Sequence, residues 1–130
     1  MTCFSDNVAL SYGAGPGAAN RALAHAAFLG QVMLRHGYLP RGAITIGKLV
    51  HTEWIIFGDG LVRAAEAEKS HVITPRIAPL EPFDDLVRRE FATCPQLKSE
   101  FVRDRGNGPF VHILGERWPF LDRERRDRIA

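Results

Sequence analysis

Residues 41–69 read R-G-A-I-T-I-G-K-L-V-H-T-E-W-I-I-F-G-D-G-L-V-R-A-A-E-A-E-K, and the chemistry written there is that of an anion site. Gly58-Asp59-Gly60 breaks a bulky apolar run, and the strong helix formers of residues 61–69 follow at once. The backbone amides of residues 59–61 then open a helix N-terminus just past a strand end, a place where unpaired N–H groups and the helix dipole favour a phosphate. The plainer account of the same residues is a strand-to-helix turn in which Asp59 is a cap or dipole partner. A second such pattern stands earlier, where Gly13-Ala14-Gly15-Pro16-Gly17-Ala18 satisfies G-x-G-x-x-A between a strand pattern and a helix pattern. A dinucleotide site also needs an acid near the end of the next strand, and Gly47-Lys48 stands there. An NADP-binding variant tolerates that lysine, but the further β-α units of such a sheet do not follow, so a flexible loop is the better reading. Arg41 and Arg76 are of the type that grips phosphate or pairs with carboxylate. His51, near Lys48 and Glu53, is a polar edge residue unless a partner makes it a base.

These residues must be carried by ordinary elements. Residues 1–12 suggest a hairpin turning at Ser5-Asp6-Asn7, with Asp6 suited to local hydrogen bonding in the turn. Residues 18–36 form an alanine-rich helix with Ala19, Leu23, Ala26, Gly30 and Met33 or Leu34 on one face, and Gly37 stops it. A strand over 41–47 puts Ile44 and Ile46 on one face, and the bulky run 54–57 predicts a short buried strand. Val72-Ile73 predicts another, which Pro75 and Pro79 confine to a sheet edge or a strand end. Residues 82–92 predict a helix with Phe83, Leu86, Val87 and Phe91 as its core stripe. Residues 97–102 and 109–114 flank a turn at Asp104-Arg105-Gly106-Asn107-Gly108 and predict a hairpin, with His112 facing away from Val111 and Ile113. Glu66 and Glu68 read as a solvated face.

Five segments in this order resemble a family. F-S-D-N-V-A-L-S at residues 4–11, R-G-A-I-T-I-G, F-G-D-G-L-V-R-A-A-E-A-E, P-R-I at 75–77 and D-R-G-N-G-P-F-V-H-I-L at 104–114 are similar to class III nucleotidyl cyclase domains. The nearer likeness is to the short bacterial cyclases that make cyclic pyrimidine nucleotides in antiviral (anti-phage) defence. The resemblance implies an α+β fold of the ferredoxin-like kind, with a mainly antiparallel sheet and helices on one face, and a nucleoside triphosphate as substrate. It implies Mg2+ or Mn2+ held in part by Asp6, a role near the nucleotide for Arg41, and nucleotide contacts at Gly58, Asp59 and Gly60. It also implies work as a homodimer or with a completing chain. Two departures stand out. The asparagine and arginine that related cyclases carry on the helix after Gly60 fall on Val62 and Glu66, and a shift of one residue puts Arg63 and Ala67 there. The strand that brings the second metal-binding aspartate belongs before the Phe4 hairpin, so the expectation is a domain truncated at its N-terminus. A cation pair requires several carboxylates, and Asp6 alone offers one.

Composition sets the outer bounds. The chain has 130 residues, 45% hydrophobic and 25% charged, enough for one domain with a core of its own. The expected division is a cyclase-like domain over 1–116 and a charged helix or tail over 117–130. A net charge of +2 makes no case for nucleic acid, and the four arginines in D-R-E-R-R-D-R near the end are offset by three acids. Cys3 and Cys94 fit neither a metal nor a disulfide framework, so a reducing cytoplasm is expected. The sequence has no run of 18 apolar residues and no signal-peptide pattern, and neither a membrane span nor a leader is expected.

Overall fold

The protein, seen in a computed structural model, is described over residues 2–4, 7–70, 76–90, 92, 102–106 and 108–113. Helix α1, Ala18–Arg35, buries Ala19, Ala22, Leu23, Ala27, Gly30 and Gln31 on one face at three- and four-residue spacing. That face is turned slightly from the expected one: Ala22 and Ala27 join it, while Ala26, Met33 and Leu34 lie at its margin. Close approach to the end of the chain's last described strand explains the turn. A Cβ added at Gly30 would stand 2.8 Å from Ile113 Cγ2, and Gln31 Nε2 donates to the Ile113 carbonyl at 2.7 Å. The helix ends where Gly37 adopts φ +84°. The Gly37 amide donates to Leu34 O at 3.0 Å and the Tyr38 amide to Met33 O at 2.9 Å, the paired bonds of a Schellman cap.

Among the described residues four two-stranded ladders accompany three helices, giving a mixed α+β fold. Strands β1 (Thr2–Phe4) and β2 (Asn7–Ala9) pair antiparallel, with Phe4 opposite Asn7. Strand β3 (Gly42–Ile44) pairs with β6 (Ile77–Pro79), and this pair is parallel, unlike the mainly antiparallel sheet expected. Crossing from β3 to β6 takes an antiparallel hairpin of β4 (Val50–His51) and β5 (Ile56–Phe57), then helix α2 (Asp59–Ser70). Pro79 is the last residue of β6, as its missing N–H requires, and the next amide, Leu80 N, donates to Ile44 O at 2.8 Å. Helix α3 (Phe83–Glu90) follows, with Asp84 and Asp85 in its first turn and Arg88 and Arg89 in its last, in the sense the helix dipole favours. Strands β7 (Val102–Arg105) and β8 (Gly108–Val111) form a hairpin in the expected place, but Asp104 and Arg105, expected in its turn, belong to β7, residues 97–101 lie outside the described residues, and β8 lies against β6.

The core lies between α1, α3 and this last hairpin. Leu23 and the alanines of α1 meet Phe83 and Val87 of α3 and Val102 and Val111 of β7 and β8. Ile44 and Ile46 both pack against it, so the expected common face of residues 41–47 exists although the strand itself stops at Ile44. Arg76 is stacked on the Phe110 ring, its guanidinium carbon 4.7 Å from the centroid, and among the described residues it stands in no salt bridge. The bulky run at 54–57 is a correction to the sequence reading. Only Ile56–Phe57 is strand, and Trp54 is 84% exposed, Ile55 56% and Phe57 55%. Its partner β4 belongs to the same hairpin, and among the described residues no second layer covers that face. Asp6, Val72, Ile73, Phe91, Cys94 and the tail at 117–130 lie outside the described residues. Among the described residues no helix is long and apolar enough to cross a membrane.

Tyr12 joins the segment after β2 to this core. Its ring packs on the core, and its hydroxyl lies 2.6 Å from His25 Nδ1 on α1. Burial pushes the phenol above its ordinary pKa, an effect that the nearby Arg21 charge partly offsets. The folded state therefore holds this proton at a pH where the unfolded chain has lost it. The stability so gained is complete below the unfolded value of about 10 and disappears as pH rises through the folded value. The chain has two tyrosines, so in Tyr38→Phe the single phenol reports Tyr12. Its absorbance titration is expected to centre above pH 10, and Tyr12→Phe to flatten the alkaline loss of stability in urea melts; a Tyr12 midpoint at or below the free value contradicts the burial argument.

Candidate functional site

The site expected at the start of α2 is built by two backbone segments in close contact. Beyond Ile44 the chain leaves the β3–β6 ladder and crosses the first turn of α2 at Gly47. A Cβ added at Gly47 would stand 2.5 Å from Gly60 Cα and 2.8 Å from Gly60 N; one added at Gly60 would stand 3.2 Å from Gly47 Cα. Glycine at 47 permits this approach, and at 60 a side chain would need its neighbour to give by a few tenths of an ångström. Gly58 has φ +144°, and a side chain there would run into the Lys48 carbonyl. Three glycines therefore let the strand exit lie across the helix start.

Hydrogen bonds hold this crossing. The Gly60 amide donates to Lys48 O at 3.2 Å, Val62 N donates to Gly58 O at 3.2 Å, and the Arg63 guanidinium donates to Ile46 O. Helix α2 begins at Asp59, two residues before the expected start, which draws Asp59 and Gly60 into its first turn. Asp59 Oδ2 lies 3.8 Å from Arg63 Nη2, one turn on, the geometry of an ordinary surface pair along a helix. Gly60's amide is thus engaged by Lys48 O. A phosphate arriving at this helix end must displace that carbonyl or settle beside it.

Arg41 marks the other end of the same helix. Its Nε donates to Glu68 Oε1 at 2.5 Å, with Arg41 43% and Glu68 25% exposed. Glu68 is therefore a partner of the strand and not part of a solvated face. The stem of β3 and the last turn of α2 are joined by this pair, so Arg41 is directed at the helix by a carboxylate 27 residues on. No local spacing announces that contact, and sequence reasoning missed it. The Gly47–Gly60 contact had a signal that went unread, glycine just beyond one strand and glycine in the first turn of the next helix. The structure thus brings Arg41, Gly58, Asp59 and Gly60 onto one strand–helix unit; Asp6 falls between β1 and β2, outside the described residues.

The Gly13–Gly17 loop is arranged differently from a dinucleotide cradle. Gly17 is the N-cap of α1 with φ +77°, and the first turn of the helix has no acid of its own. Glu90 of α3 takes that place, its Oε1 3.5 Å from Asn20 N, beside an open pocket of about 410 Å³. A carboxylate already stands where a pyrophosphate would sit. Strands β2 and β3 flank α1 without pairing, since β2 pairs with β1 and β3 with β6. No family model matches the chain, and neither a curated protein nor a solved structure matches it.

Replacing Gly47 by alanine is expected to cost about 1–3 kcal/mol, the range for forcing extra atoms into a close-packed contact. Gly13, with nothing within 4 Å of an added Cβ, is the control, and its alanine variant should stay within about 0.5 kcal/mol of the parent. Urea midpoints of the two variants compare them; equal midpoints would show that the crossing does not hold α2.

Proposed function

We propose that the chain is a nucleotidyl cyclase-like domain, acting on a nucleoside triphosphate to give a 3′,5′-cyclic nucleotide and pyrophosphate. The observation that supports it is the strand–glycine–helix unit at 41–70, where Arg41 and the Gly58-Asp59-Gly60 turn occupy the two ends of one helix. It lies downstream of a two-stranded hairpin whose connection carries Asp6, the order that the resemblance to class III cyclases implies. In the same reading the small ladders belong to a ferredoxin-like layer, and the domain works as a homodimer or with a completing chain in antiviral defence in the cytoplasm. In this reading the first turn of α2 lies against the phosphates, while Arg41, held by Glu68 at the last turn about 14 Å along the helix, meets another part of the nucleotide.

The metal is a separate matter. Mg2+ or Mn2+ needs several oxygen ligands, and among the described residues no three His, Cys, Asp or Glu side chains converge. Asp59 faces Arg63 instead of another carboxylate. The described acids therefore do not make a two-cation site, and no catalytic step is assigned to a metal here. Asp6 with carboxylates from a completing segment or partner would hold it in this reading.

A second reading is favoured by the engaged state of the same groups. With Arg41 on Glu68, Gly60's amide on Lys48 O, and Val62 and Glu66 where a polar and a cationic residue are expected, the domain binds a nucleotide or a second copy without turnover. One experiment separates the two. Purified chain is incubated with each of the four NTPs and Mn2+ or Mg2+, with product followed by mass spectrometry, and a non-hydrolysable NTP is titrated by calorimetry. Cyclic product supports the first reading; nucleotide binding without product, weakened about tenfold or more by Arg41→Ala, supports the second. Absence of binding by any of the four would sink the first reading and the nucleotide form of the second, and a monomer in sedimentation would then sink the second-copy form too.

A further inference from the structure

His51 has a hydroxyl partner. Ser11 Oγ lies 2.6 Å from His51 Nδ1, across 40 residues of sequence, in a pocket of about 400 Å³ lined by Ser11, His51, Thr52 and Glu53. With its ring proton on Nε2, the imidazole presents Nδ1 as an acceptor and the serine hydroxyl donates to it. We infer that Ser11 is a nucleophile with His51 as its general base, an acyl acceptor for small activated carboxylic esters or thioesters.

Both partners are held from behind. Ser11 directly precedes Tyr12, whose ring packs on the core and whose hydroxyl meets His25 Nδ1 at 2.6 Å. Ser11 itself lines the pocket. His51 is the last residue of β4, paired with Ile56. The hairpin beyond it is closed by Thr52, whose amide donates to Ile55 O at 2.8 Å and whose Oγ1 accepts from the Ile55 amide at 3.1 Å. Ser11 is exposed, so an electrophile has access to it. A nucleophile and a base on separate elements at hydrogen-bond distance meet the first geometric requirement of nucleophilic catalysis. Glu53 borders the same pocket.

The step balances within the pair and the ester. Ser11 Oγ bonds to the carbonyl carbon, the hydroxyl proton passes to His51 Nδ1, and the bond from that carbon to the leaving oxygen or sulfur breaks. The leaving group departs with the electron pair, as p-nitrophenolate from p-nitrophenyl acetate. The acetyl ester of Ser11 remains, and the imidazolium returns its proton to solvent.

The test treats the whole chain with p-nitrophenyl acetate and maps acetylation by peptide mass spectrometry. Ser11 is expected to react at least about tenfold faster than exposed Ser70, and His51→Gln to remove that advantage; general bases contribute about 10²–10⁴-fold. Ser11→Ala should remove the acetyl group that fragmentation assigns to position 11, as distinct from any on the N-terminal amine, Cys3 or Tyr12 of the same tryptic peptide. A second measurement covers the case in which His51→Gln unfolds: in Ser11→Cys the new thiol should alkylate with iodoacetamide faster than glutathione at neutral pH, because the imidazole draws off its proton. Ser11 reacting no faster than Ser70, an advantage that survives in folded His51→Gln, or a thiol in Ser11→Cys that alkylates no faster than glutathione overturns the inference.

Discussion

The exit from strand β3 and the start of helix α2 meet backbone on backbone, Gly47 against Gly60. A helix of 12 residues is marginal by itself in water, and tertiary packing normally supplies what its propensity lacks. Helix α2 has little of that packing, since Gly60 and Ala67 are its buried residues. It is positioned by contacts at its ends: the glycine crossing and the Lys48 carbonyl at the first turn, Arg41 on Glu68 at the last. The exposed ion pair adds little energy, so the glycine crossing carries most of the burden.

The other half of the molecule is held in the usual way. Helix α1, helix α3 and the β7–β8 hairpin bury Leu23, Phe83, Val87, Val102 and Val111 against one another, with small residues on α1 allowing close approach. Apolar burial is non-directional and tolerates small shifts, whereas a carbonyl directed at one amide does not. The two halves meet along β3 and β6, where Ile44 and Ile77 pack on the core while the residues flanking β3, Arg41 and Gly47, meet α2. Segments with few buried apolar contacts are those that open most readily, and binding sites are commonly drawn from them.

The charged groups follow a pattern as well. Arg41, Asp59, Arg63 and Glu90 each meet a partner within the protein, so at each position an incoming anion or cation competes with a neighbour already present. Exposed pairs of this kind are weak, and exchange with a ligand is inexpensive. The His51–Ser11 and His25–Tyr12 contacts together tie the segment after β2 to the β4–β5 hairpin and to α1.

How much could be read beforehand depends on how local the cause was. Helix α1 and its glycine stop, the apolar stripe of α3, the proline at the end of β6 and the turn between β7 and β8 follow from spacing and from residues with restricted backbone choices. So does the break at Gly58. What no pattern announced were contacts between residues far apart: Arg41 with Glu68, Ser11 with His51, Glu90 at the first turn of α1. The same holds for the parallel pairing of β3 with β6 and for the exposure of Trp54. A strand's neighbour and the side of it left to solvent are decided by what the remaining chain brings alongside. A periodicity confined to a few residues describes a face, and only the folded chain decides what that face meets.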